Sequence, residues 1–108
     1  MKIEDKQVSH KDRELSQISE KAAEFLRTLA NPNRLIILNR LMRGEACVGD
    51  LEKSLSISQS ALSQHLTRMK SEGILSKRRE SQQIFYSISD TRVGKFIDIA
   101  GECFGKNN

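Results

Sequence analysis

Residues 56–70 read SISQSALSQHLTRMK. Wound at 3.6 residues per turn, this stretch puts Leu62, Leu66 and Met69 on one stripe and Ser60, Ser63, Gln64, Thr67 and Arg68 on the other side. A surface helix needed only for solubility would carry Glu and Lys there. Here the outer face carries hydroxyls and amides, which donate and accept hydrogen bonds to base edges and phosphates. It closes with Arg68 and Lys70. That surface suits a helix that lies in the major groove of DNA. The plain alternative is a solvated polar face, and the flanking sequence decides between them.

Upstream, Cys47 to Leu55 predicts a short third helix with Val48, Leu51 and Leu55 inward. Residues 54–58 form a tight connection into the fourth. Two short helices joined in this way make a helix-turn-helix. Downstream, Gly73 closes the fourth helix, and Ile74–Glu80 and Gln83–Ile88 are too short to be separate helices. The second of these runs alternates loosely between apolar and polar, and Glu80-Ser81-Gln82 reads as a turn, so a β-hairpin is expected. A hairpin directly after a helix-turn-helix is a wing.

The candidate DNA-contacting set follows: Ser58, Gln59, Ser60, Ser63, Gln64, Thr67, Arg68 and Lys70 on the helix, with Lys77, Arg78, Arg79, Gln82 and Gln83 on the wing. Gln59 and Gln64 are long enough for bidentate contact to adenine, and Ser60 and Ser63 reach bases or phosphates. Arg68 and Lys70 should meet the phosphate backbone. The wing residues suit the minor groove or its flanking phosphates, against the alternative of ordinary charges on an edge strand. His65, beside the Leu62–Leu66 stripe, reads as a packed, hydrogen-bonded histidine.

The rest of the chain supplies the scaffold. Residues 1–12 are polar and patternless, a flexible tail, and residues 13–105 form one winged helix-turn-helix domain. Leu15, Ile18, Ala22, Phe25, Leu26 and Leu29 follow helical spacing. Asn31 caps a second helix with Pro32 at its first position. Leu35, Ile36, Ile37, Leu38, Leu41 and Met42 cover most of its circumference, which predicts a central, buried helix ended by Gly44. Ser89 or Asp90 should cap a last helix lined by Val93, Phe96, Ile97, Ala100 and Phe104. Gly94 and Gly101 weaken that helix, so packing against a partner should hold it. The fold expected is mainly α with a small β-hairpin, in the order α-α-α-α-β-β-α.

Charge distribution agrees with the helix. The chain has 18 basic and 14 acidic residues among 108. Residues 58–83 hold five basic side chains against two acidic, whereas residues 1–24 hold five against six. The positive field therefore sits on the reading helix and the wing. No apolar run near Met1 suggests a signal peptide, and no segment has membrane-spanning length. Two cysteines do not make a secreted disulfide scaffold, so a cytoplasmic protein is expected.

Several runs resemble one family in order. Leu29-Ala30-Asn31-Pro32-Asn33-Arg34-Leu35-Ile36-Ile37-Leu38 is similar to the opening of ArsR/SmtB-type winged-helix repressors. Residues 45–51 resemble their third-helix motif, residues 58–66 their recognition helix, and residues 78–86 their wing. The likeness covers Phe25 to about Ile88. Within the family, residues 58–66 are worded like the subgroup of HlyU-, NolR- and BigR-like regulators. The resemblance implies a homodimer built from the first and last helices, through Leu15, Ile18, Ala22, Phe25, Val93, Phe96, Ile97, Ala100 and Phe104. It also implies binding to an inverted repeat in promoter DNA, usually as a repressor, with the two recognition helices about 34 Å apart.

The resemblance leaves the effector unknown. Metal sensors of the family carry Cys-Val-Cys in the third helix; Cys47 matches the first cysteine, but Gly49 stands at the second. The last helix has no histidine, so no metal site and no cofactor are expected. Redox-responsive relatives pair a second-helix cysteine with one in the last helix, and Asn39 stands where the former would be. Cys47 and Cys103 remain a candidate redox pair if their Cα atoms approach within about 7 Å, although Cys103 suits a small core position equally well. A metal- or redox-responsive derepressor is one alternative reading, and a winged helix that docks on protein instead of DNA is another. Acidic or apolar residues on the outer face of the fourth helix would favour the docking module, and Ser, Gln and Arg stand there instead. An enzyme is not expected: there is no Ser-His-Asp arrangement, Gly-rich phosphate loop or carboxylate cluster.

Overall fold

A computed structural model describes residues 9–105 of the chain. The chain divides into two compact units, residues 1–30 and 31–108. In the first, α1 (His10–Leu29) starts at a serine cap: Ser9 Oγ accepts the Asp12 amide N–H at 3.1 Å. This cap satisfies a donor that the first helical turn leaves unpaired. The helix thus begins inside the stretch expected to be tail, because His10 to Arg13 carry no apolar periodicity to mark it; residues 1–8 lie outside the described residues. Leu15 and Ile18 are each 61% exposed, Ala22 is half-buried, and Phe25 and Leu29 are buried.

The second unit opens with α2 (Pro32–Leu41). Asn31 Oδ1 accepts two amide N–H groups, from Asn33 at 2.9 Å and Arg34 at 3.2 Å, and Pro32 takes the first helical turn. Ile37, Leu38 and Leu41 face the core. The helix is not buried all round, contrary to expectation: Leu35, Ile36 and Met42 remain 37–45% exposed. The chain by itself covers only one face of α2.

Two residues then form β1 (Ala46–Cys47), and α3 (Val48–Ser54) follows directly. The expectation that Cys47 opens the third helix is corrected here. Its φ of −85° and ψ of 160° are extended, and its strand pairs with the wing. A strand of two residues shows no period, so nothing in the sequence marked it.

The helix α4 (Gln59–Ser71) buries Leu62, Leu66 and Met69, the stripe read from the sequence. It ends in a left-handed glycine: Gly73 has φ +80°, and the Ile74 amide donates back to the Met69 carbonyl at 2.9 Å. This is the helix-terminating turn that favours glycine, and it delivers Ile74 and Leu75 into the core.

The wing is β2 (Leu75–Glu80) and β3 (Gln83–Ile88), antiparallel, with Leu75 opposite Ile88 and Glu80 opposite Gln83. Ser81, the first residue of the two-residue turn, sits at φ +59°. Tight hairpins require a positive φ there because it matches strand twist. Ala46 and Cys47 pair with Tyr86 and Phe85, so the sheet has three strands in the order β1-β3-β2.

The last helix, α5 (Arg92–Phe104), packs on α2. The cap position is taken by Thr91, without a side-chain hydrogen bond, and not by either expected residue; Asp90, just before it, accepts the Arg92 amide at 2.9 Å and pairs with its guanidinium at 2.7 Å. Ser89 does not cap; its hydroxyl donates to the Gly73 carbonyl at 3.0 Å. Val93 is fully buried in the core of the chain. Phe96, Ile97 and Ala100 are half-buried, Ile99 is 52% exposed and Phe104 is 88% exposed. Among the described residues, no helix is long and apolar enough to cross a membrane.

Candidate nucleic-acid interface

The stripe of α4 fixes which way its polar face points. With Leu62, Leu66 and Met69 at most 1% exposed, helical spacing turns Gln59, Ser60, Ser63, Gln64, Thr67, Arg68 and Lys70 outward, and all seven are exposed. Ser58 is spent partly on structure: its Oγ accepts the Ala61 amide at 3.2 Å and starts the helix. Gln59, Ser60 and Ser63 crowd the N-terminal end, where unpaired amides and the helix dipole favour an anion such as phosphate.

Arg68 is not in open water. Its Nε donates to Glu72 Oε2 at 2.8 Å, one turn on, with the Arg68 side chain 62% exposed. An exposed pair of this kind is worth about 0–1 kcal/mol, and in the free protein it engages the Arg68 guanidinium. Among the described residues, Lys70, Lys77 and Arg79 have no ion-pair partner.

Arg78 departs from expectation. Its Nε and Nη2 donate to Glu45, Nη2 to Oε1 at 2.6 Å, and its Nη1 donates to Glu80 at 2.6 Å. The guanidinium carbon lies 4.7 Å from the centre of the Phe85 ring. Hydrogen bonds from Arg78 hold the Glu45 carboxyl below its usual range, opposed by some desolvation. Arg78 therefore faces carboxylates, and the wing cations without ion-pair partners among the described residues are Lys77 and Arg79. Gln82 and Gln83 are exposed at the tip.

A second contact sets the recognition helix on its support. Arg34 Nε, on α2, donates to His65 Nδ1, on α4, at 3.1 Å. Nδ1 can accept only from a neutral ring. Burial, with the Arg34 charge second, pushes the His65 pKa down and keeps the ring neutral. Sequence reasoning placed His65 as a packed residue but had no signal for its partner, 31 positions away. Glu45 was likewise invisible, because its role depends on a strand too short to read.

Both cysteines are free; Cys47 is buried and Cys103 is exposed. The small core position suggested for Cys103 is not where the protomer puts it. Among the described residues, no group of three or more His, Cys, Asp or Glu side chains is placed to hold a metal ion.

A short helix, α3, followed by a recognition helix with a polar outer face and then by a two-stranded wing, defines a winged helix-turn-helix protein. Residues 31–77 match the family described as "Bacterial regulatory protein, arsR family". The chain is 41% identical over 96 residues to nodulation protein NolR of Rhizobium meliloti, covering 89% of this chain and 74% of that protein. It is 39% identical over 95 residues to the transcriptional activator HlyU of Vibrio cholerae, covering 88% of each. Among solved structures, BigR, a transcriptional repressor from Xylella fastidiosa, superposes with a TM-score of 0.80 at 32% identity, over 85% of this chain and 94% of that one. NolR from Sinorhizobium fredii superposes at 0.77 with 38% identity, over 97% and 98%. The chain belongs to the arsR family of bacterial regulatory proteins, a family of helix-turn-helix transcriptional regulators and not of enzymes.

Proposed function

We propose that this protein is a cytoplasmic repressor that binds an inverted-repeat operator in promoter DNA as a homodimer. The observation that carries the reading is the outward face of α4: hydroxyls and amides at Ser60, Ser63, Gln64 and Thr67, with Gln59 ahead and Lys70 behind, all exposed while the opposite stripe is locked in the core. Such a helix presents hydrogen-bonding groups at the reach that base edges in the major groove require.

Support for the homodimer comes separately from two helices. On α1, Leu15 and Ile18 are largely exposed, and on α5, Ile99 and Phe104 are. Apolar side chains grouped on a surface mark an interaction site. Two copies related by a twofold axis present two recognition helices, which an inverted repeat with half-sites about 34–36 Å apart would match. Repression fits occupation of promoter DNA, and the relatives include biofilm growth-associated repressors.

The test is selection of bound duplexes from a random pool, followed by a reporter assay on a recovered site. Enrichment of palindromes with about one helical turn between half-sites, and lowered reporter output, are expected. A pool that stays random overturns the DNA reading, and raised output overturns the sign of regulation.

A further inference from the structure

We infer that Arg78 is a positioning residue that ties the wing to the helix-turn-helix, and that it is not a phosphate ligand. The inference rests on the DNA-binding reading but concerns how the wing is held. Register places Cys47, Phe85 and Arg78 side by side across β1, β3 and β2. Glu45 immediately precedes β1. The Arg78 side chain, on β2, lies over the Phe85 ring of β3 and reaches Glu45, the residue just before β1. Glu45 leads into β1 and directly into α3, the first helix of the reading pair.

The chemistry favours a tether over a free cation. Arginine has five N–H donors in a planar fork that matches a carboxylate in two bonds. Here Nε and Nη2 take Glu45, Nη1 takes Glu80, and one flat face covers Phe85. The three charged groups sum to one negative charge. A phosphate arriving at Arg78 would meet that excess and would have to displace a bidentate partner. The neighbouring cations, Lys77 and Arg79, carry no such partners among the described residues.

Glu45→Gln gives opposite signs for the two roles. If Arg78 were a phosphate ligand restrained by Glu45, removing that carboxylate would strengthen duplex binding and steepen its salt dependence. As a tether, Glu45→Gln loosens the wing. Operator affinity then falls about two- to fivefold, the range of an exposed ion pair, although a negative charge has been removed. Arg78→Lys keeps the charge but loses the fork, and should fall by a similar factor with the salt slope unchanged. Arg79→Ala is the control and should flatten the slope by about 0.9 per subunit. Amide exchange in the free protein tests the tether without DNA. Faster exchange of β3 amides in Glu45→Gln, with thermal unfolding still cooperative, is expected. Unchanged β3 exchange, tighter binding by Glu45→Gln, or a slope flattened by Arg78→Lys overturns the inference. Failure of the unaltered protein to bind any duplex would overturn the function instead.

Discussion

Changing the salt concentration should count the cations that this protein brings to DNA. Lys70, Lys77 and Arg79 are exposed and without ion-pair partners among the described residues, whereas Arg68 is held by Glu72 and Arg78 by Glu45 and Glu80. Three such cations per subunit would make six in the proposed dimer. Each phosphate neutralised contributes about −0.9 to the slope of log affinity against log salt, which predicts a slope of about −5. Between roughly 50 and 200 mM salt, affinity should then fall by about a thousandfold. Fluorescence anisotropy with a labelled mixed-sequence duplex measures this directly. If Arg68 and Arg78 abandoned their carboxylates and joined in, ten contacts would give about −9 and a loss nearer 10⁵. A slope near that steeper value refutes the division into held and available cations. A slope shallower than about −3 refutes the assignment of Lys70, Lys77 and Arg79 to the backbone.

Two further outcomes concern the support beneath α4. Leu66→Ala empties a site that is 1% exposed and should cost about 2–5 kcal/mol of stability. In calorimetry that lowers the unfolding midpoint by at least about 10 °C; a shift of a degree or two would show that the stripe is not packed as described. His65 has its folded-state pKa pushed below the usual 6.5 by burial and by Arg34. The unfolded chain therefore takes up the proton first, so this contribution is complete above about pH 6.5 and is lost as pH falls below it. Urea unfolding at several pH values between about 5 and 7.5, on the native chain and on His65→Gln, reads it. The variant should lose part of the acid sensitivity, and identical pH profiles would contradict the Arg34–His65 contact.

What the sequence showed and what it hid divide along physical lines. Local patterns were legible: the Leu62, Leu66, Met69 stripe, the Asn31-Pro32 helix start, the Gly73 stop and the run of β2 and β3 all depend on neighbours within a few residues. Hidden features depend on distant partners. Pairing of Ala46 with Tyr86 and Cys47 with Phe85 crosses 40 and 38 positions, and Arg78 reaches Glu45 across 33. Lys77, Arg78 and Arg79 look alike in the sequence, and only strand alternation and Glu45 set the middle one apart. Similarly, α2 carries apolar residues nearly all round, yet Leu35 and Ile36 stay partly exposed because hydropathy alone does not say how many faces a single protomer covers.

On this reading α4 distinguishes base sequence and does more than hold the backbone. Gln64→Ala tests it most directly, because the side chain is exposed, lies on the outer face and is not part of the packed stripe. The quantity to measure is the ratio of affinity for the selected operator to affinity for a mixed-sequence duplex at one salt concentration. A bidentate contact to a base is worth about 1–3 kcal/mol of discrimination, so the ratio should fall by about five- to more than a hundredfold per half-site. An equal loss on both duplexes, leaving the ratio intact, would contradict base reading by this helix.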